Sequence, residues 1–516
     1  MANPVSDMLM RQAGVGADPV ATAVSLANQG QLDAAQQILQ DVLKRLPNHA
    51  EAWFRLGQIH SHRNEGKPAI QAFKRAVALA PQAPEGHVHL GNAYLRLGRA
   101  GQAMQAYRDG LKYHPAHALL HFNLGVAQKQ SGDIPGAIAS YNTALGYDPN
   151  YAPSHFSLGN ALRESGRPQE AEESYRRAIA LQPDHAGARI NLAGLLATRE
   201  NYAGAVEEAF AALKLQPNQP DALRNISLSL YKLGRYAEGA QITMHALSVS
   251  PKDTMLQYHM GEMLYGLVRK GDAAKAQDFA KTWKDAFPQD AVAQHMASAV
   301  LGGQVPERAG DTYVRETFDR FAQDFEKVLG GLGYRVPELL CTAITDALQA
   351  RTGLSVLDAG CGTGLCAPFL RPVAKALVGV DLSGGMLEKA RERKIYDSLH
   401  EAELGTFLER TADRYDIAVA ADVYCYFGAL TPSFQALAAR MNAQSLFGFT
   451  VEAMPADADA NEGYRLGPTG RYQHDEAYVK RALEQAGFSL LRFEQTHGRE
   501  EMGQPVPCFM VLARLA

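Results

Sequence analysis

At 516 residues the chain is too long for a single core, and roughly two to four domains are expected. With 46% hydrophobic and 21% charged residues, 46 Gly and 25 Pro, its composition excludes disorder and collagen-like structure. A formal net charge of -4 gives no overall field to draw nucleic acid or an anionic bilayer, so neither is expected as a partner. Residues 1–7 lack the basic start and apolar centre of a signal peptide, and no run reaches the ~18 apolar residues of a membrane span. The five cysteines (Cys341, Cys361, Cys366, Cys425 and Cys508) are odd in number, which suits reduced thiols and a cytoplasmic location. Neither a second close pair nor a neighbouring His completes a tetrahedral set around Cys361 and Cys366, so no metal is expected.

The first half repeats. Leu56-Gly57, Leu90-Gly91, Leu124-Gly125 and Leu158-Gly159 recur every 34 residues, followed in register by Leu192-Ala193, Ile226-Ser227 and Met260-Gly261. Ala69, Ala103, Ala137, Ala171 and Ala205 keep the same step, as do Phe73, Tyr107, Tyr141 and Tyr175. Small residues let two antiparallel helices approach, and large ones at Trp53 and Phe73 fill the space beside them. Pro47, Pro81, Pro115 and their successors cannot sit inside a helix, so each closes one unit.

These columns resemble the tetratricopeptide repeat, a helix-turn-helix unit. The likeness covers residues 16–288 and implies about eight repeats stacked as an all-α superhelix. In that family the sixth position of each repeat faces the concave groove, and here it carries Asn123, Asn191 and Asn225, with His89 and His259 elsewhere. Two readings stand: an amide ladder that binds a protein or peptide backbone, or polar residues on a solvated face. His87, His121 and His155 recur at the Trp53 slot. With helices ~8–10 Å apart they are too far apart to share a metal, so they read as packing residues.

Residues 289–310 read as a linker, with a capping helix near 290–301 before Gly302-Gly303-Gln304-Val305-Pro306. The second domain then occupies 311–516. Tyr313, Val314, Phe318, Phe321, Phe325 and Val328 recur at mostly three- and four-residue intervals, which predicts an amphipathic helix over 311–330. A second helix is expected near 337–350. Strands are expected at 355–359, 376–380, 416–420, 447–452, 489–495 and 508–513, alternating with helices as in a mostly parallel sheet. Such sheets bind ligands at the carboxyl ends of their strands.

The first strand runs into Asp358-Ala359-Gly360-Cys361-Gly362-Thr363-Gly364, where three glycines let the backbone turn sharply and approach a ligand. No Gly-Lys-Ser/Thr follows, which disfavours nucleoside triphosphates. Leu365 stands where the dinucleotide fingerprint wants Gly, and Asp358 would face a pyrophosphate with like charge. An acid at Asp358 suits a ligand that is cationic there, such as the amino and sulfonium groups of S-adenosylmethionine.

The segment resembles the Rossmann-like class I S-adenosylmethionine-dependent methyltransferases, and the whole layout resembles bacterial predicted methyltransferases that carry tetratricopeptide repeats. The resemblance implies a cofactor site at Asp358, Gly360, Cys361, Gly362 and Gly364. It gives Asp381 to the ribose hydroxyls, Leu382 and Met386 to the adenosine, and residues 311–350 to a helical cover. Glu403 reads either as the acid near the adenine amine or as a surface charge.

The acceptor is expected beyond the fourth and fifth strands. There Asp422, Tyr426, Arg471, Tyr472 and His474 converge, with Asp422, Tyr426 and His474 as the catalytic candidates. Asp422 could instead hold the cofactor or a neighbouring backbone, and His474 with Asp475 could simply begin a helix at 476–486. Two function classes follow. One is a methyltransferase whose repeats recruit or present a protein or peptide. The other is an interaction scaffold whose cofactor-binding domain is non-catalytic or diverted to another reaction.

Overall fold

The computed structural model describes residues 18–303, 305–455, 462–501 and 504–516. Readings made on residues 1–7, on the repeat start at 16, on Gln304 and on the Val328 side chain lie outside the described residues. The described residues divide into two compact units, one up to Ser229 and the other from Leu230 onward.

The first unit is a series of helical hairpins, from Pro19–Asn28 with Leu32–Arg45 to Ala186–Thr198 with Tyr202–Leu215. The turn inside each hairpin needs a left-handed residue. Asn64, Gly98, Gly132, Gly166 and Glu200, spaced by the repeat, take φ of 59°, 70°, 85°, 76° and 62°. Within the hairpins a ring lies against a glycine. An added Cβ would lie 2.6 Å from Phe73 at Gly57, 2.2 Å from Tyr107 at Gly91, and 2.7 Å from Tyr141 at Gly125 and from Tyr175 at Gly159. All four rings are buried.

The Trp53 slot does more than fill space. Trp53 Nε1 donates to the Pro47 carbonyl at 2.8 Å, and the Nε2 atoms of His87, His121 and His155 reach the Pro81, Pro115 and Pro149 carbonyls at 2.9, 2.8 and 2.9 Å. Arg189 makes the same bond to Pro183 at 3.2 Å. A carbonyl just past a helix end has no intrahelical donor. In these five repeats the slot holds a side chain with an N–H at the right reach, which corrects the reading of these histidines as packing residues alone, whereas the next repeat holds a buried Leu223 there and makes no such bond.

In the second unit, among the described residues, a nine-stranded sheet is built from β1 (Leu354–Ala359), β2 (Ala374–Asp381), β3 (Ser398–Glu401), β4 (Tyr415–Ala420), β5 (Met441–Ala453), β6 (Tyr464–Leu466), β7 (Tyr472–His474), β8 (Phe488–Glu501) and β9 (Gln504–Leu515). The order is β3-β2-β1-β4-β5-β7-β6, with β9 antiparallel to β5 and β8 antiparallel to β9. Strands β1 to β5 pair in parallel, and helices cover the sheet, as expected for a Rossmann-like domain. The order reverses at β1, between β2 and β4, which opens a crevice at their carboxyl ends.

Three strands had no sequence signal. β3 is a four-residue, partly exposed edge (Ser-Leu-His-Glu), and β6 and β7 have three residues each, too short for a period to show. The helix expected over 311–330 is two, Asp311–Phe321 and Phe325–Gly331. Between them the chain turns, and both pieces are tied to one neighbour. Ser383 Oγ and Gly385 N donate to Asp319 Oδ1 at 2.5 and 3.1 Å, and Arg393 donates to Glu326 at 2.6 Å. The same unit includes helices Thr254–Arg269, Ala273–Ala286 and Ala291–Leu301.

The ring-on-glycine contacts give a stability test. Gly91→Ala should cost about 1–3 kcal/mol through overpacking, despite alanine's better helix propensity. Gly146→Ala, where an added Cβ meets nothing within 4 Å, should gain about 0.5–1 kcal/mol. Urea unfolding followed by circular dichroism separates the two, and a stabilised Gly91→Ala would refute the close-approach account.

Candidate functional site

The loop after β1 turns through Gly360, Gly362 and Gly364 at φ of 65°, 53° and 86°. A Cβ at Gly360 would lie 2.3 Å from Val423, whereas at Gly362 it would meet nothing within 4 Å, so open space lies beside that residue. Asp381, at the end of β2, accepts the Gly362 N–H and the Ser383 N–H, each at 2.8 Å. Those two bonds fix the carboxylate's plane and leave lone pairs for further donors. Asp358 accepts the Tyr396 hydroxyl at 2.6 Å. Burial pushes its carboxyl up to about 7, and the Tyr396 bond opposes the rise. Arg393 donates to the Thr363 carbonyl at 2.6 Å and so joins this loop to Glu326 of the covering helix.

The loop opens into a cavity of about 700 Å³. Asp358, Gly360, Cys361, Gly362, Asp381, Leu382, Met386 and Glu403 line it, and Gly364 does not. A Cβ at Gly364 would lie 2.9 Å from Tyr396, so its role is a close approach of backbone to ring. Glu403 also caps helix Leu404–Arg410, accepting the Thr406 N–H at 2.8 Å. That bond alone accounts for an acid at this position.

Asp422 and Tyr426 line the same cavity farther along, together with Arg471, Arg499 and Glu501. Asp422 takes φ 55°, a left-handed strain that aims it across the sheet end. Its carboxylate accepts Thr450 Oγ1 at 3.1 Å and Arg499 Nη1 at 3.2 Å. Burial raises its pKa, and the Arg471 guanidinium opposes that. Arg471 Nε lies 3.4 Å from the Tyr426 hydroxyl, and Phe318 of the covering helix meets the Tyr426 ring edge-on at 5.5 Å.

His474 is not among the cavity-lining residues. It is fully buried, with Nε2 3.3 Å from the Gly428 carbonyl, its ring stacked on Tyr478, and its pKa pushed down to about 4 by burial. Strand alternation explains this. Tyr472 and His474 share one face of β7 and both are buried, so they cannot join Arg471, one residue before the strand, in the cavity. Tyr472 likewise donates to the Pro306 carbonyl at 3.0 Å. Arg499, Thr450 and Tyr396 had no sequence signal, because each reaches the site from an element distant in sequence.

Two profiles match the chain. Residues 20–84, 89–152 and 156–220 match tetratricopeptide repeats, and residues 332–492 match a methyltransferase domain. The chain carries a methyltransferase domain. Human methyltransferase-like protein 27 is 41% identical over 90 residues, 17% of this chain and 37% of that one. The malonyl-[acyl-carrier protein] O-methyltransferase of Yersinia pestis is 45% identical over 49 residues, 10% of this chain and 18% of that one. The chain thus spans well under half the length of these relatives. Among solved structures, YrrB, a TPR protein with an unusual peptide-binding site, is 22% identical, covering 36% of this chain and 95% of that one with a TM-score of 0.31.

A class I methyltransferase domain implies S-adenosylmethionine, and the residues present fit it. Asp358 provides a buried carboxyl for a cationic ligand, Asp381 has lone pairs left over, and the space beside Gly362 is open. Among the described residues no helix is long and apolar enough to cross a membrane.

A pH test follows from Asp358. Its pKa is raised, so below about 7 a proton competes with any cation placed beside it. Affinity for S-adenosylmethionine should fall as pH drops through that value, by about tenfold per unit at the limit. Asp358→Asn should flatten the profile and lower affinity at high pH. Calorimetric titration across the range checks this, and a flat wild-type profile would place the cation elsewhere.

Proposed function

We propose that the protein is an S-adenosylmethionine-dependent methyltransferase whose repeats recruit or present a protein or peptide. The observation that carries the reading is one continuous cavity reaching from the Asp358, Gly362 and Asp381 cradle to Asp422 and Tyr426. In this reading Asp381 accepts the ribose hydroxyls, Leu382 and Met386 pack on the adenosine, and Asp358 faces the cationic end. Glu403 divides its oxygens between its helix cap and the adenine amine. When bound, the cofactor supplies an electrophilic methyl group.

Asp422 and Tyr426 act on the acceptor. Arg499 and Thr450 fix the Asp422 carboxylate, so it orients an acceptor N–H or O–H and takes the proton released. Phe318 and Tyr313, from the cover at 311–350, exclude water above Tyr426. His474 has no part in this reading because it is sealed beneath Gly428. The repeats, proposed over 16–288, would bind an extended chain on their concave face. Asn191 and Asn225 already donate to Asn160 Oδ1 at 2.7 Å and to the Ile190 carbonyl at 3.3 Å, so these amides offer mainly acceptor oxygens to a peptide. A cytoplasmic setting suits five buried, unpaired cysteines.

Two measurements test the proposal. Asp381→Ala should weaken S-adenosylmethionine binding by about 1.5–3 kcal/mol, the loss of a charge-assisted hydrogen bond, and unchanged calorimetric affinity would sink the cofactor assignment. Labelled S-adenosylmethionine with a cell extract should yield a labelled protein or peptide. Asp422→Asn should then slow transfer about 10²-fold or more while cofactor affinity holds. A matching loss of affinity would move Asp422 into the cofactor site.

A further inference from the structure

One wall of the cavity has no part in the reading above. Tyr258, Glu262 and Tyr265 stand at i, i+4 and i+7 on helix Thr254–Arg269, so they share one face. Leu256, Met260, Met263, Leu264 and Leu267 on the same helix are buried. All three residues of the first group line the cavity that also holds Asp358 and Asp422, and Tyr231 joins them.

The Tyr231 hydroxyl donates to Glu262 Oε2 at 2.9 Å, and the Tyr258 ring stands one helical turn away on the same face. A phenol has one hydrogen to give, so Glu262 accepts that of Tyr231 and keeps lone pairs for another donor. Among the described residues Glu262 has no ion pair: Arg471, whose charge is felt at Glu262, is itself paired with Glu501 at 2.5 Å and Glu452 at 3.6 Å. The rings around it attract cations. Lys232 lies 5.4 Å from the Tyr231 centroid, Arg320 5.1 Å from that of Tyr258, and Arg269 5.9 Å from that of Tyr265. Those cations sit against ring faces and leave the carboxyl unpaired. Burial pushes Glu262 up, a penalty that an ion pair would offset.

We infer that Tyr231, Tyr258, Glu262 and Tyr265 form a subsite for a protonated amine of the acceptor. The inference rests on the methyltransferase reading for the identity of the bound molecule as acceptor, whereas the subsite itself stands on this geometry. It makes the last helical hairpin a determinant of specificity and not only a means of recruitment.

The probe is n-hexylammonium, compared with hexanol and hexanoate on the full chain with S-adenosylhomocysteine present, read by saturation-transfer NMR and calorimetry. Hexylammonium should bind at least about tenfold more tightly than either analogue, and Glu262→Gln should abolish that preference while S-adenosylhomocysteine affinity stays within about twofold. Tyr265→Leu, which leaves the carboxyl in place, should weaken hexylammonium at least about threefold. Equal or tighter binding of hexanol or hexanoate, or unchanged hexylammonium affinity in both variants, would overturn the inference. S-adenosylhomocysteine binding to the unmodified chain tests the methyltransferase reading by itself, so the two fail separately.

Discussion

The α/β half is organised around a buried guanidinium. Arg499, 5% exposed, leaves β8 to contact Glu452 in β5, Glu501 at 3.0 Å and Asp422 at 3.2 Å. Asp422 follows β4, so a side chain from the antiparallel edge ties together the ends of two central parallel strands. Breaking one partner of such a set leaves charge buried without compensation, a cost of about 3–5 kcal/mol. The β8–β9 register therefore fixes where Asp422 sits. Arg471 adds a second cation, 2.5 Å from Glu501 and 3.6 Å from Glu452. Two guanidiniums face three carboxyls: burial pushes Asp422 and Glu452 up, and the Arg471 guanidinium opposes the rise in each.

What could be read from the sequence was what is local or periodic. The Gly360 to Gly364 loop and Asp381 are short segments whose backbone demands are written in their own residues. The repeats show because Gly57 and Phe73 recur at a fixed step, and each pair makes the same contact. Asp422 was legible as a strand-end acid, but its partners were not. Arg499 lies 77 residues away in an antiparallel strand, and nothing in its neighbourhood announces the pairing. His474 failed for a different reason. Position in a loop sequence does not fix parity in a three-residue strand, and a shift of one residue decides between cavity and core.

The histidines at the Trp53 slot show how a correct residue class can carry an incomplete reason. Burial explained why a large residue stood there. It did not explain why the slot accepts Trp, His and Arg but shows no Phe or Leu among those five repeats. In these five units the proline carbonyl lacks a donor and the slot supplies one six residues later, while after Pro217 the slot holds Leu223 and supplies only volume. Apolar volume and hydrogen-bond capacity are selected together, which a pattern of hydrophobicity alone cannot reveal.

The same coupling of roles sets the extent of the catalytic half. A cut at residue 311 looks natural once the repeat period has ended at 288 and a linker has followed, yet the compact unit begins at Leu230. The reason lies in what Tyr313 touches. Its ring stacks on His295 at 3.9 Å, His295 Nε2 is 2.8 Å from the Gly470 carbonyl, and the Tyr313 hydroxyl donates to Met296 Sδ at 3.4 Å. Helix Ala291–Leu301 thus packs on both the covering helix and the loop before β7. Helix Thr254–Arg269 joins them through Arg320, whose Nη1 donates to the Thr254 carbonyl at 2.5 Å, and through Phe321, edge-on to Tyr258 at 5.4 Å. A cover held on one side by the sheet and on the other by these helices cannot keep its place when either is removed. Helices Thr254–Arg269 and Ala291–Leu301 are therefore part of the cavity's wall in the physical sense, whatever their resemblance in sequence to the repeats before them.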